Sequence, residues 1–180
     1  TFLDRLASQA TIDRLCFPYW RYVRNLAARY DATVVAGEWL RDRLLGFGLE
    51  NVQAVPFGID RDLFSPRHRS GALRTELLSQ CGLGEAGSLL VTISRHHPEK
   101  RLGVLFDAIC RVRRSIDVGL VVFGDGPLRK WVEARARRTP GVHLAGFVRD
   151  REFMARALAS ADAMIHGSAA ETYGFVIAEA

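Results

Sequence analysis

A chain of 180 residues and 20.1 kDa, with 48% hydrophobic and 25% charged residues and a mean hydropathy of +0.01, has the apolar content of an ordinary folded core, which excludes intrinsic disorder. Its 25 basic and 20 acidic residues leave a net charge of +5 and a pI near 9.6, inviting nucleic acid, anionic lipid or a phosphorylated small molecule as partner. The three scattered cysteines, Cys16, Cys81 and Cys110, exclude a disulfide framework and a CxxC metal knuckle and fit a reducing cytosol, while no apolar run approaches the roughly 20 residues of a bilayer span.

From Thr1 to Tyr30 the apolar residues recur at helical spacing, with Pro18 marking a break between two helices. Asp31 to Gly37 reads as a short buried strand, Glu38 to Gly48 as a helix ending in glycines, and Asn51 to Asp60 as a strand running into a Pro/Gly turn. A further helix over Leu73 to Cys81 sits in a polar setting, where a domain boundary is expected. A regular alternation then begins. Strands are expected at Ser88 to Ser94, Val118 to Gly124, Val142 to Phe147 and Ala161 to Gly167, and helices at Leu102 to Arg114, Pro127 to Arg138, Arg151 to Ser160 and from near Gly174. Apolar strands alternating with helices predict an α/β fold with a Rossmann-like parallel sheet covered by helices on both faces. Ligands of such sheets bind beyond the carboxyl ends of the strands, so chemistry belongs in the loops that begin at Ser94, Gly124, Gly146 and Gly167.

The first loop, SRHHPEKRL, carries Arg95 and Lys100, two cations able to clamp a phosphate or pyrophosphate. Set against that is an ordinary solvated loop. The adjacent His96 and His97 have no cysteine or carboxylate pair at ligand spacing, which argues against a metal. In the second loop, FGDGPLR, Gly124 and Gly126 permit a tight turn and Pro127 suits a helix start. Arg129 stands where a dinucleotide fingerprint needs its third glycine, so a structural turn competes with a phosphate or ribose seat. The third loop offers the backbone of Phe147, Val148 and Arg149 as a cradle for a base, or simply a helix start with Asp150 as N-cap.

The fourth loop, HGSAAETYGFVIAEA, places Glu171 before a helix and Glu179 inside it. Backbone N–H groups of Thr172 to Gly174 would point at an anion. Apolar GFVIA between the glutamates puts Glu179 in a mostly buried stretch, where an unpaired carboxylate is costly and a hydrogen-bonded role such as holding a ribose diol explains it. A glycosidase pair fits less well, because eight helical residues span roughly 12 Å where such carboxyl groups need about 5 to 9.5 Å. A lone histidine such as His166 is more often a local hydrogen-bonding residue than a ligand contact.

Taken together, Arg95 and Lys100, the GDGP loop of Gly124 to Pro127 and the ETYGFVIAEA segment resemble the family 4 (group 1) retaining glycosyltransferases of GT-B fold, the mannosyltransferase-like members most closely. The resemblance extends back through ATVVAGEWLRDRLL and VPFGIDRDLF. It divides the chain into 1–57, the close of an N-terminal acceptor-side domain; 58–87, a linker and domain start; and 88–180, an incomplete nucleotide-sugar-binding domain. It implies that the chain is a fragment of a longer enzyme.

Residue by residue, the resemblance implies that Arg95 and Lys100 neutralise the donor diphosphate and act in catalysis, with Glu171 at the hydroxyls of the transferred sugar. Backbone amides of Tyr173, Gly174 and Phe175 would meet the diphosphate, Glu179 the ribose, and Phe147, Val148 and Arg149 the base. No metal and no separate cofactor are expected, since protein cations would stabilise the leaving diphosphate. The donor would be a nucleotide diphosphate sugar, GDP-mannose first, and the acceptor a glycan or lipid. Nucleic acid is not expected as a partner. A cytoplasmic location is expected, and the basic character leaves peripheral contact to an anionic membrane open, although the arginines are scattered rather than gathered into one amphipathic stripe. A nucleotide-binding module without turnover and a sugar-nucleotide epimerase of the same fold stand as alternatives, and oligomeric state is not legible.

Overall fold

The computed structural model describes residues 16–168, 171 and 173–180, so the helical reading of residues 1–15 and the role expected of Thr172 lie outside the described residues. The chain divides after Gly58 into two compact units. In the first, α1 (Phe17–Ala27), β1 (Thr33–Val35), α2 (Glu38–Gly46) and β2 (Val52–Ala54) follow one another, with the two strands parallel. Pro18 falls in the first turn of α1, where its missing N–H leaves no bond unmade. A small core of Ala27, Val35, Leu49 and Val52 holds this unit, and Trp20 stacks on Phe47 with ring centroids 3.9 Å apart. The strand expected over Asn51 to Asp60 ends at Ala54, because Pro56 brings no N–H to a ladder.

The second unit contains α3 (Gly71–Gln80), β3 (Ser88–Ile93), α4 (Leu102–Val112), β4 (Val118–Phe123), α5 (Arg129–Ala136), β5 (Val142–Gly146), α6 (Arg151–Ser160), β6 (Ala163–Met164) and α7 (Phe175–Glu179). The four strands form one parallel sheet in the order β5-β4-β3-β6. Because side chains alternate along a strand, each central strand supplies both cores. Leu89, Val91, Val121 and Phe123 face α3 and α6, whereas Val118, Leu120 and Val122 face α4 and α5. Every residue of β4 is buried, and Leu78, Leu89, Phe106 and Leu120 are fully removed from solvent. Each such side chain stabilises the fold by roughly 1.5–3 kcal/mol.

The segment ahead of β3 belongs to this unit, since Leu73, Leu77, Leu78 and Cys81 of α3 enter its core. Burial pushes the Cys81 thiol up to about 11, so it behaves as an apolar filler. Asp162, just before β6, fixes the layers together: its Oδ2 accepts from the Leu89 N–H at 2.8 Å and pairs with Arg74 of α3 at 2.8 Å. The fourth strand is shorter than its apolar run suggests: among the described residues it pairs Ala163 with Leu90 and Met164 with Val91. After Ile165, whose N–H still bonds Val91, the chain leaves the sheet at the end where the other strand-end loops lie.

Candidate active site

At the carboxyl ends of β3 and β4 the backbone leaves no room for side chains. Gly124 has φ +125°, and a Cβ there would lie 2.0 Å from the Ser94 carbonyl oxygen. At Gly126 a Cβ would lie 2.7 Å from the His96 carbonyl, so the second loop presses directly on the first. The contact is stitched by His96 N–H donating to the Asp125 carbonyl at 2.9 Å and Leu128 N–H to the His96 carbonyl at 3.0 Å. Gly124 N–H also donates to the Gly146 carbonyl at 2.7 Å, bringing the third loop alongside. The tight turn read from GDGP is thus present.

The most concentrated chemistry lies between the first and fourth loops. A 3₁₀ turn over Pro98–Lys100 delivers Lys100, whose ammonium pairs with the Glu171 carboxylate and donates to Ser168 Oγ at 3.3 Å. On the other side His166 Nε2 lies 2.8 Å from Glu171 Oε1. Burial alone would raise the Glu171 carboxyl, but hydrogen bonds from Lys100, His166 and Ser168 and the ammonium charge outweigh it and hold the group below the usual glutamate range. The Glu171 side chain remains 30% exposed, so the cluster is open to a solute. Lys100, expected as a free cation for a phosphate, is thus already half of an ion pair. Among the described residues its third N–H has no partner.

Arg95, the other expected clamp residue, is exposed and its guanidinium makes no hydrogen bond or ion pair among the described residues. Gly146 has φ +75° and hands the chain to Phe147, which is 67% exposed; Val148 packs on the core and Arg149 is exposed. Asp150 caps α6, accepting from Glu152 and Phe153 N–H at 2.9 and 3.1 Å. Tyr173 and Phe175 meet edge to face across Gly174, with centroids 4.9 Å apart. The stretch before Glu179 is not buried as expected. Phe175 is 45% and Ile177 51% exposed, because the described residues lay no layer over that side of α7. Glu179 itself is partly buried, 3.4 Å from Arg151 of α6, in a cavity of about 240 Å³ with Phe64, Arg69 and Leu158. Burial pushes its carboxyl up and Arg151 pulls it down, with burial prevailing. The structure does not join it to the Lys100–Glu171 cluster.

Sequence reasoning missed four features here. His96 is 3% exposed and neither ring nitrogen finds a hydrogen-bond partner among the described residues. Burial pushes its imidazole down, so the ring is held neutral. Arg101 is the one non-glycine residue with positive φ among the described residues, at 49°, directly after Lys100. Ser168 and Arg151 were not singled out, and only their placement near Lys100 and Glu179 gives them meaning. Among the described residues no group of three His, Cys, Asp or Glu could hold a metal ion, and no helix is long and apolar enough to cross a membrane.

Comparison with known proteins gives this geometry its context. A GDP-mannose-dependent alpha-(1-6)-phosphatidylinositol dimannoside mannosyltransferase of Mycobacterium tuberculosis is 31% identical over 179 residues, covering 98% of this chain and 45% of that protein. Sulfoquinovosyl transferase SQD2 of Arabidopsis thaliana is 27% identical over 174 residues, covering 94% of this chain and 32% of its own. The chain therefore spans under half the length of the curated relatives it matches. Among solved structures, Anabaena Alr3699/HepE in complex with UDP and glucose superposes with a TM-score of 0.69 at 21% identity, over 91% of this chain and 45% of that one. WaaG, a glycosyltransferase involved in lipopolysaccharide biosynthesis, gives 0.62 at 22% identity, over 81% of this chain and 40% of its own. These likenesses show the fold, which is of GT-B type. The family of glycosyl transferases group 1 matches residues 87–180, which hold the whole cluster around Glu171, and the chain belongs to that family.

Proposed function

We propose that this chain carries the donor site of a retaining, metal-independent glycosyltransferase that uses a nucleotide diphosphate sugar, GDP-mannose first, to glycosylate a glycan or lipid acceptor. The observation that carries the reading is the convergence of Lys100, His166 and Ser168 on Glu171 at the carboxyl end of a parallel sheet, with the Arg95 guanidinium exposed on the same loop as Lys100 and unpaired among the described residues. The mycobacterial relative, a GDP-mannose-dependent phosphatidylinositol dimannoside mannosyltransferase, supports the choice of donor and a lipid acceptor.

In this reading the diphosphate lies over the first loop. Arg95 grips it by a forked contact and Lys100 adds its remaining N–H, so both cations meet the charge that grows on the leaving group as the glycosidic bond lengthens. Amides of Tyr173, Gly174 and Phe175 add neutral donors. Glu171 accepts a hydroxyl of the transferred sugar and sets its orientation. Phe147, Val148 and Arg149 line the base, and Glu179 takes the ribose hydroxyls in place of its 3.4 Å contact with Arg151. Retention follows if the acceptor oxygen attacks on the face the diphosphate leaves, with the leaving phosphate receiving its proton. The reading includes a cytoplasmic location with peripheral contact at the inner face of a membrane.

Calorimetric titration of GDP and GDP-mannose tests it. Arg95→Ala should weaken both by at least about tenfold, the scale of one charge-assisted contact. Unchanged affinity would remove Arg95 from the phosphate site. Donor that binds but is neither hydrolysed nor transferred would make the protein a nucleotide-binding module, and an isomerised donor would make it an epimerase.

A further inference from the structure

We infer that His166 is a positioning residue that, with Lys100 and Ser168, locks the Glu171 carboxylate so that it has one acceptor site left for one hydroxyl of the donor sugar. The inference rests on the donor-site reading above and deepens it.

Ile165 N–H is bonded to Val91 of β3 at 2.9 Å, so the residue that follows it leaves a fixed point of the sheet. A Cβ at Gly167 would stand 2.9 Å from the Lys100 carbonyl oxygen, so the first and fourth loops are in backbone contact there. With the loops so close, Lys100 and His166 reach Glu171 from separate loops and meet at the same oxygen, Oε1. The His166 side chain is only 16% exposed and that of Lys100 15%, so both donors are held by their surroundings while the carboxylate stays open.

A carboxylate only accepts, so His166 must carry its proton on Nε2. An ionised carboxylate offers about four lone-pair sites. Lys100, His166 and Ser168 take three of them among the described residues. A free glutamate would spread over many rotamers, and fixing it beforehand removes an ordering cost from donor binding. A single remaining site also discriminates: a sugar that presents its hydroxyl there is accepted, and one that does not leaves a desolvated carboxylate short of a partner.

Two measurements decide the matter. Nitrogen-15 NMR of the protein above the imidazole titration range should show His166 with Nε2 protonated and Nδ1 bare, and Glu171→Ala should abolish that bias. A bare Nε2, or a tautomer indifferent to Glu171→Ala, overturns the inference. Binding of GDP-mannose and of GDP is then compared in His166→Ala and His166→Gln. The alanine variant should lose roughly tenfold in its preference for the sugar nucleotide with GDP affinity held within about twofold, and glutamine, whose amide nitrogen reaches the Nε2 position, should restore most of it. Equal losses for both nucleotides without rescue would mark His166 as merely structural. If the unaltered protein binds neither nucleotide, the donor-site reading fails and takes the hydroxyl assignment with it, while the tautomer reports separately on the contact.

Discussion

Glu171 and Glu179 lie in one short segment, each beside a cation, yet their surroundings act on them in opposite directions. Three donors converge on Glu171 and hold it ionised, whereas Glu179 has a single guanidinium at 3.4 Å and burial that works against its charge. The difference comes from what each residue stands on. Glu171 is reached from two strand-end loops that are jammed together, so its partners are precise. Glu179 rides on a five-residue helix and meets an arginine whose side chain is 65% exposed. A long flexible cation in water contributes little. The first carboxylate is therefore prepared in advance, and the second is available to exchange its partner.

The largest expected effect breaks the first site while sparing the second. Gly124→Ala must displace the Ser94 carbonyl and the loop that leads to Lys100, and should cost about 3 kcal/mol or more in urea denaturation, without touching Arg151 or Glu179. Next, His96→Leu replaces an orphaned buried imidazole under the same loop and should raise stability by about 1–2 kcal/mol at neutral pH. The native ring has a lowered folded value. Below the unfolded value near 6.5 the unfolded chain binds the proton first, so stability falls as pH drops through that region. The leucine variant should lose that sensitivity, leaving the part contributed by half-buried His143, whose imidazole burial also pushes down. A denaturation midpoint that tracks pH identically in both proteins would refute the role given to His96.

The two glutamates themselves supply the sharpest contrast. Glu171→Gln should lower stability by roughly 1 kcal/mol at pH 7, discounted for partial exposure. Its folded value is depressed, so the native stabilisation is fully present above the unfolded value of about 4.3 and is lost as pH falls below it, a dependence the variant should lack. Glu179→Gln should do the reverse. With its folded value raised, the native protein loses stability as pH climbs above about 4.3, so the amide should be neutral to a few tenths of a kcal/mol stabilising at pH 7. Same-sign effects at pH 7 would collapse the comparison. Smallest of all, Arg101→Gly should gain up to about 1 kcal/mol by removing a left-handed backbone penalty beside Lys100, partly offset by chain entropy.

The parallel sheet was legible because continuous apolar runs such as Val118–Phe123 alternate with helical periodicity, and the strand-end rule then located the loops. Segment ends were less so. Ser70 caps Leu73 N–H at 3.3 Å and starts α3 two residues early, a contact that only geometry selects among several serines. The glutamate pair was found by its chemistry, but a sequence cannot tell which cation will meet which carboxylate. Lys100 read as a phosphate ligand and is first a partner of Glu171. His96 invites attention in the sequence only beside His97 as a metal ligand, and its burial under the second loop depends on Gly126 approaching it, a contact between residues distant along the chain.

The Lys100–Glu171 pair has a consequence for the protein's birth as well as its chemistry. The two residues are 71 positions apart, so at about 5–20 residues per second a ribosome makes the lysine roughly 4–14 s before the carboxylate. Strands β4 and β5 can settle in that interval, since they pair with β3 and with each other and not with the last segment. Throughout that time β3 has a bare flank and the lysine has no counter-ion. The nascent chain is then most vulnerable to wrong strand pairing along that flank, and the arrival of β6 with Asp162, His166 and Glu171 closes the edge and neutralises the charge in one event.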